Sequence, residues 1–174
     1  MLDADDGKRV GRRSVVFVCE GNTCRSPLAE VIAGQMFAAG DSCFFSAGLT
    51  AVAGDPAAEP TRLTATALGL DLSGHRARPL AAVPLAEVLW VIAMTRSQAA
   101  RLRAAGVGRA GVRIGVLGAP GLDLADGTPT PACEEVADPW GADLDTYRGT
   151  AEQIRRLLEA WTPFLAGACA PEGN

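Results

Sequence analysis

An α/β fold is what this sequence predicts: a three-layer sandwich with a four-stranded parallel sheet and a phosphate-binding loop after strand one. Apolar, β-branched runs alternate along the chain with segments of helical spacing. The run Val88–Ala93 is nearly continuously apolar, as in a strand buried on both faces. The run Ser14–Cys19 passes through a short polar loop to Ser26 and Pro27, which reads as strand, turn, helix.

Each element has a local cause. The first helix is expected from Ser26 or Pro27 to Ala39, with Gly40 as its C-terminal stop. A short strand over Ser42–Ser46 then ends at Ala47-Gly48. Pro60–Leu68 reads as a helix with Gly69 just past its end. After the strand at Val88–Ala93, Thr95 caps a helix that runs through Ala105. Arg113–Leu117 is the last strand, and Leu144–Leu165 is the closing helix. Between them lies a Gly/Pro/Asp-rich loop over 118–140, long enough to be a candidate for function. The predicted organisation is one domain over 13–166, with a flexible tail at 1–12 and a loose one at 167–174.

Composition narrows the function classes. A chain of 174 residues, 48% of them hydrophobic, can bury a proper core. The net charge of −4 and the lack of a basic stripe speak against nucleic acid as a partner. The most apolar stretch, Leu85–Met94, is too short to span a bilayer and contains Glu87, so no membrane partner is expected. The charged first residues lack a secretory apolar stretch, which makes a cytoplasmic location the expectation. Cysteines at 19, 24, 43, 133 and 169 fit neither a disulfide framework nor a zinc pattern. His75 is the single histidine and reads as a loop anchor, which leaves little room for a histidine-dependent hydrolase.

The chemistry concentrates in Cys19-Glu20-Gly21-Asn22-Thr23-Cys24-Arg25-Ser26. A tight loop between a strand and a helix N-terminus fans backbone N–H groups into an anion site. Cys19 at its start is the candidate nucleophile, in a setting where a cysteine reacts as the thiolate. Arg25 offers a planar fork for two phosphoryl oxygens, and the Ser26 hydroxyl can donate to the thiolate and cap the helix. Gly21 permits close backbone approach, and Asn22 tolerates a left-handed turn. A bare Cys and Arg at this spacing is weak evidence; the flanking strand, helix and Gly-Asn turn make it strong. Asp138 in Asp138-Pro139-Trp140 is the candidate proton donor, with Trp140 as a pocket wall. These groups point to phosphoryl transfer through a phosphocysteine.

At these residues the chain resembles the low-molecular-weight protein-tyrosine-phosphatase family. The resemblance covers about Val15–Leu165 and runs through Val16–Glu30, Ser46-Ala-Gly48, His75-Arg-Ala-Arg78, Val91-Ile-Ala-Met94 and Ala137-Asp-Pro-Trp140. It implies catalysis by Cys19, Arg25 and Asp138, with substrate held by Glu20, Gly21, Asn22, Thr23, Cys24, Ser26 and Trp140. It implies no metal or other cofactor and phosphorylated proteins as partners; a monomer is the expectation for the chain. It also implies that Cys24 can pair with an oxidised Cys19 as a protective disulfide.

Thr23, Trp140-Gly141 and Ala93-Met-Thr95 resemble the protein-arginine-phosphatase branch of that family. A Thr23 hydroxyl can hydrogen-bond near a scissile P–N bond, for about 1 kcal/mol and so roughly a factor of ten at most. Glu20 and Asp143 are candidates to attract a guanidinium. The alternative substrate is phosphotyrosine. A third reading, a thiol-dependent arsenate reductase on the same fold, needs relay cysteines, and none lies between Cys43 and Cys133.

Overall fold

The computed structural model describes residues 14–37 and 43–166. Strand β1 (Ser14–Cys19) lies between β2 (Phe44–Gly48) and β3 (Val88–Ala93), and β4 (Arg113–Val116) pairs with β3. All pairings are parallel, in the order β2-β1-β3-β4. The period of two along β1 splits the core in two. Val15, Phe17 and Cys19 join Trp90 and Ile92 beneath helices α1 (Arg25–Met36), α2 (Glu59–Ala67), α4 (Leu144–Ala160) and α5 (Thr162–Leu165). Val16 and Val18 join Val91, Ala93, Ile114 and Val116 beneath α3 (Arg96–Ala104). Three layers therefore form because both faces of every central strand are apolar.

From β1 the chain moves outward to β2, then returns past β1 to β3. The crevice at the carboxyl ends of β1 and β3 is thus the point where chain direction across the sheet reverses, the usual ligand position in open α/β sheets. Cys19 is the last residue of β1 and pairs with Gly48 across from β2.

Several boundaries differ from the sequence expectation. Helix α1 begins at Arg25, before Ser26 and Pro27, because the turn that closes the loop is already helical. Proline fits there, since first-turn N–H groups have no intrahelical partner. Its N-cap is Cys24 with no side-chain cap, so Ser26 does not cap it. Strand β2 lies two residues later than Ser42–Ser46, in register with β1 from Val15↔Phe44 to Cys19↔Gly48. The expected single closing helix breaks at Trp161, with Pro163 in the first turn of α5, where it needs no N–H. Trp161 itself is buried, crosses Trp90 edge-to-face at 5.1 Å and donates its Nε1–H to Leu117 O at 2.8 Å. Strands β1 and β3 and the Thr95 cap lie where the sequence puts them. Gly40 and both expected tails, 1–12 and 167–174, lie outside the described residues.

Candidate active site

The loop after β1 is shaped by Asn22. It has a φ of +57°, and it alone among the described non-glycine residues has a positive φ. Its buried side chain donates from Nδ2 to Ser26 Oγ at 3.0 Å and Ser46 Oγ at 2.9 Å. Its Oδ1 accepts the Arg78 backbone N–H at 3.0 Å, and its carbonyl accepts from His75 Nε2 at 2.8 Å. Ser46 in turn donates to the Glu30 carboxylate on α1. His75 is therefore a loop anchor, as its sequence context indicated.

This framework sets the thiol. Cys19 Sγ lies 3.0 Å from Ser26 Oγ, and Ser26 is also 3.3 Å from the Ala47 carbonyl. A hydroxyl at that distance can donate to a thiolate. Gly48 keeps the neighbouring strand end close: a Cβ there would stand 2.7 Å from Glu20 O and 3.0 Å from Asn22 N.

The thiol borders a cavity of about 340 Å³. The loop contributes Cys19, Glu20, Gly21, Thr23, Cys24 and Arg25; the segment after β2 adds Thr50, Val52 and Asp55; the long loop adds Asp138 and Trp140. Asn22 and Ser26 are fully buried and act on the loop's shape rather than lining the cavity. Trp140 is 70% exposed and stands at the mouth as an uncovered aromatic face.

Arg25 and Asp138 meet across 113 residues. Arg25 Nη2 donates to Asp138 Oδ2 at 2.6 Å, and Nη1 donates to Val136 O at 3.1 Å. Val136 N–H donates to Met94 O at 3.0 Å, which ties the long loop to the end of β3. The Arg25 side chain is 5% exposed, whereas Asp138 is 46% exposed, so the carboxyl reaches solvent while the guanidinium does not. Arg25 Nε is buried without a partner among the described residues, which leaves an unused donor on the guanidinium.

Two further contacts surround the loop. Arg101 on α3 donates to Glu20 at 2.7 Å, and Thr50 Oγ1 donates to it at 2.9 Å. The Arg101 hydrogen bond holds the Glu20 carboxyl below its ordinary value, and Thr50 adds to that. Cys24 Sγ lies 3.6 Å from Tyr147 Oη. Burial pushes the Tyr147 phenol well above its ordinary value, and the Cys24 contact adds to the rise.

Cys19, Thr23, Arg25, Asp138 and Trp140 thus come together as the sequence implied. Asp143 does not join them: it caps α4, accepting from Thr146 N at 2.9 Å and Thr146 Oγ1 at 2.7 Å. Sequence reasoning missed Asp55, Arg101, Glu30 and Tyr147. Only Asp55 had a local signal, the turn Gly54-Asp55-Pro56 a few residues past the Ser46-Ala-Gly48 motif. Cys19, Cys24 and Cys133 are free thiols, while Cys43, which the sequence reading left without a role, is disulfide-bonded. No group of His, Cys, Asp and Glu side chains among the described residues is placed to hold a metal ion. No helix among them is long and apolar enough to cross a membrane.

Together the loop, the long-loop carboxylate and the sheet order invite comparison with known proteins. The family model for low molecular weight phosphotyrosine protein phosphatase matches residues 14–168. A probable low molecular weight protein-tyrosine-phosphatase, EpsP, of Ralstonia nicotianae is 27% identical over 156 residues, covering 88% of this chain and 96% of that protein. The solved low molecular weight protein tyrosine phosphatase of T. tengcongensis superposes with a TM-score of 0.70 at 31% identity, covering 86% of this chain and 97% of that one. A YwlE arginine phosphatase, in a cysteine-to-serine variant with a phosphorylated active-site serine, superposes with a TM-score of 0.70 at 25% identity over 86% of this chain and 93% of that one. The chain belongs to the low molecular weight phosphotyrosine protein phosphatase family.

Proposed function

We propose that this family member hydrolyses phosphoproteins through a phosphocysteine on Cys19 and favours phosphoarginine as its substrate. The observation that carries the reading is one cavity bordered by the Cys19 thiol, the Arg25 fork, the Asp138 carboxyl and the Thr23 side chain. Cys19 Sγ attacks phosphorus as the bond to the leaving atom breaks. Asp138 gives that atom its proton, and Arg25 with the loop N–H groups holds the equatorial oxygens. Water then attacks phosphorus, Asp138 takes its proton, the P–S bond breaks, and inorganic phosphate leaves. The Ser26 hydroxyl stabilises the departing thiolate. The YwlE variant supports the assignment of the nucleophile, because its substituted active-site serine carries the phosphoryl group.

Thr23 supports the choice of phosphoarginine, since a hydroxyl on the cavity wall offers a hydrogen bond beside a P–N bond. Phosphotyrosine is the second reading, favoured by the exposed face of Trp140 and by Val52 at the mouth. The deciding experiment measures kcat/KM on matched phosphoarginine and phosphotyrosine peptides for wild type and Thr23→Ile. Phosphoarginine preference that falls about tenfold in the variant supports the reading. A tyrosine preference unaffected by the substitution overturns it. Cys19→Ser should abolish turnover while retaining oxyanion binding; wild-type rates on an aryl phosphate would end the phosphocysteine mechanism.

A further inference from the structure

Three carboxylates border the cavity, and their commitments differ. Glu20 is bound by Arg101 at 2.7 Å and Thr50 at 2.9 Å. Asp138 is bound by Arg25 at 2.6 Å and also accepts the Trp140 N–H at 3.2 Å. Asp55 has no side-chain hydrogen bond or ion pair among the described residues, although its backbone is firmly held. Its N–H donates to Val52 O at 3.3 Å and its carbonyl accepts Ala77 N–H at 2.7 Å, while the preceding Gly54 N–H donates to Ala77 O at 2.8 Å. The same segment is stitched to the phosphate loop on both sides. Thr50 N–H donates to Glu20 O at 3.0 Å and Ala58 N–H to Thr23 O at 2.9 Å. An uncommitted carboxylate is thereby fixed on the wall of a pocket in which Arg25 is the one cation among the described lining residues.

We propose that Asp55 is a specificity-determining residue that binds the guanidinium of a phosphoarginine substrate. The proposal rests on the phosphoarginine reading and gives it a residue. A carboxylate beside a dianionic phosphoryl group is repulsive unless the substrate brings positive charge with it. Phosphoarginine does so, because its guanidinium is bonded directly to phosphorus, and a carboxylate pairs with that planar group by charge-assisted hydrogen bonds. Phosphotyrosine brings a neutral ring and meets only the repulsion. One charge therefore discriminates in both directions. Neither carboxylate first singled out in the sequence is as well suited, since Glu20 is already paired and Asp143 caps a helix.

The test uses two blocked amino acids, N-acetyl phosphoarginine amide and N-acetyl phosphotyrosine amide, so that no flanking peptide charge contributes. KM and kcat are measured for wild type, Asp55→Asn and Asp55→Glu, and Kd on a Cys19→Ala background, which has no side-chain nucleophile at that position, with and without Asp55→Asn. Asp55→Asn should raise KM and Kd for the phosphoarginine compound about 5- to 20-fold, with kcat changed less. The phosphotyrosine compound should bind equally well or better, and Asp55→Glu should recover part of the phosphoarginine loss. Equal changes for both compounds, or none for either, overturn the role of Asp55. If wild type prefers phosphotyrosine, the substrate reading fails by itself. Asp55 recognition then still stands if Asp55→Asn weakens phosphoarginine alone on the Cys19→Ala background.

Discussion

Replacing Asn22 by alanine should damage the site without touching any group that reacts. Asn22 is buried, and Ala must adopt its φ of +57° at a cost of about 1–2 kcal/mol. The change also removes two donations, to Ser26 at 3.0 Å and Ser46 at 2.9 Å, and leaves the Arg78 N–H without its 3.0 Å acceptor. Ser26 and Ser46 keep other partners, Ala47 O and Glu30, so the main penalty is the stranded Arg78 N–H, about 1–3 kcal/mol. The sum is roughly 2–5 kcal/mol, a large share of a domain's usual 5–15 kcal/mol or so. At about 2–4 °C per kcal/mol for a chain of this size, Tm should fall by about 10 °C. A loop displaced by about 1 Å should lose on the order of 100-fold in kcat/KM on a small aryl phosphate. Asn22→Gly separates the two causes: it removes the same bonds without the left-handed penalty, so its Tm should lie a few degrees above that of Asn22→Ala. Thermal melts and steady-state kinetics on the three proteins check this. Wild-type Tm and kcat/KM in Asn22→Ala, or a Gly variant less stable than the Ala variant, would refute the reasoning.

Gly48→Ala should push the loop from behind, because its Cβ would meet Glu20 O at 2.7 Å and Asn22 N at 3.0 Å. A loss of about 1–3 kcal/mol in denaturant melts, with lower kcat/KM, is expected. Asp138→Asn should slow substrates with poor leaving groups by about 100-fold or more and spare activated aryl phosphates; equal losses on both would argue against a proton donor. Tyr147, the sequence's one tyrosine, is held protonated in the fold, so its stabilising contribution is present below its ordinary pKa and is lost as pH rises above it. Absorbance at about 295 nm should show no tyrosinate in the native protein at about pH 10.5, and stability should fall above pH ~10 in wild type but not to the same extent in Tyr147→Phe.

Much of the site was legible because its signals are local. A β-branched run, a Gly-Asn turn and a helix start fall within Ser14–Pro27, and the structure builds the loop from those residues. The β2 boundary was not legible, because pairing with β1 from Val15↔Phe44 onward decides it, and apolar content alone does not. Asp143 is unavailable to a ligand because, as the N-cap of α4, its carboxylate is already bound by Thr146 three residues on.

Residue order therefore settled the αβ alternation and the tight loop that carries Cys19 and Arg25 between β1 and α1, since each depends on neighbours a few positions away. Folding decided which charges remain available. Arg25 reaches Asp138 over 113 residues and Glu20 is taken by Arg101 over 81. Asp55 is left open on the cavity wall, its backbone fixed to Ala77 and its carboxylate unpaired among the described residues. Coulomb pairing acts through space, so only the tertiary arrangement determines which carboxylates are already matched and which one is left unpaired on the cavity wall.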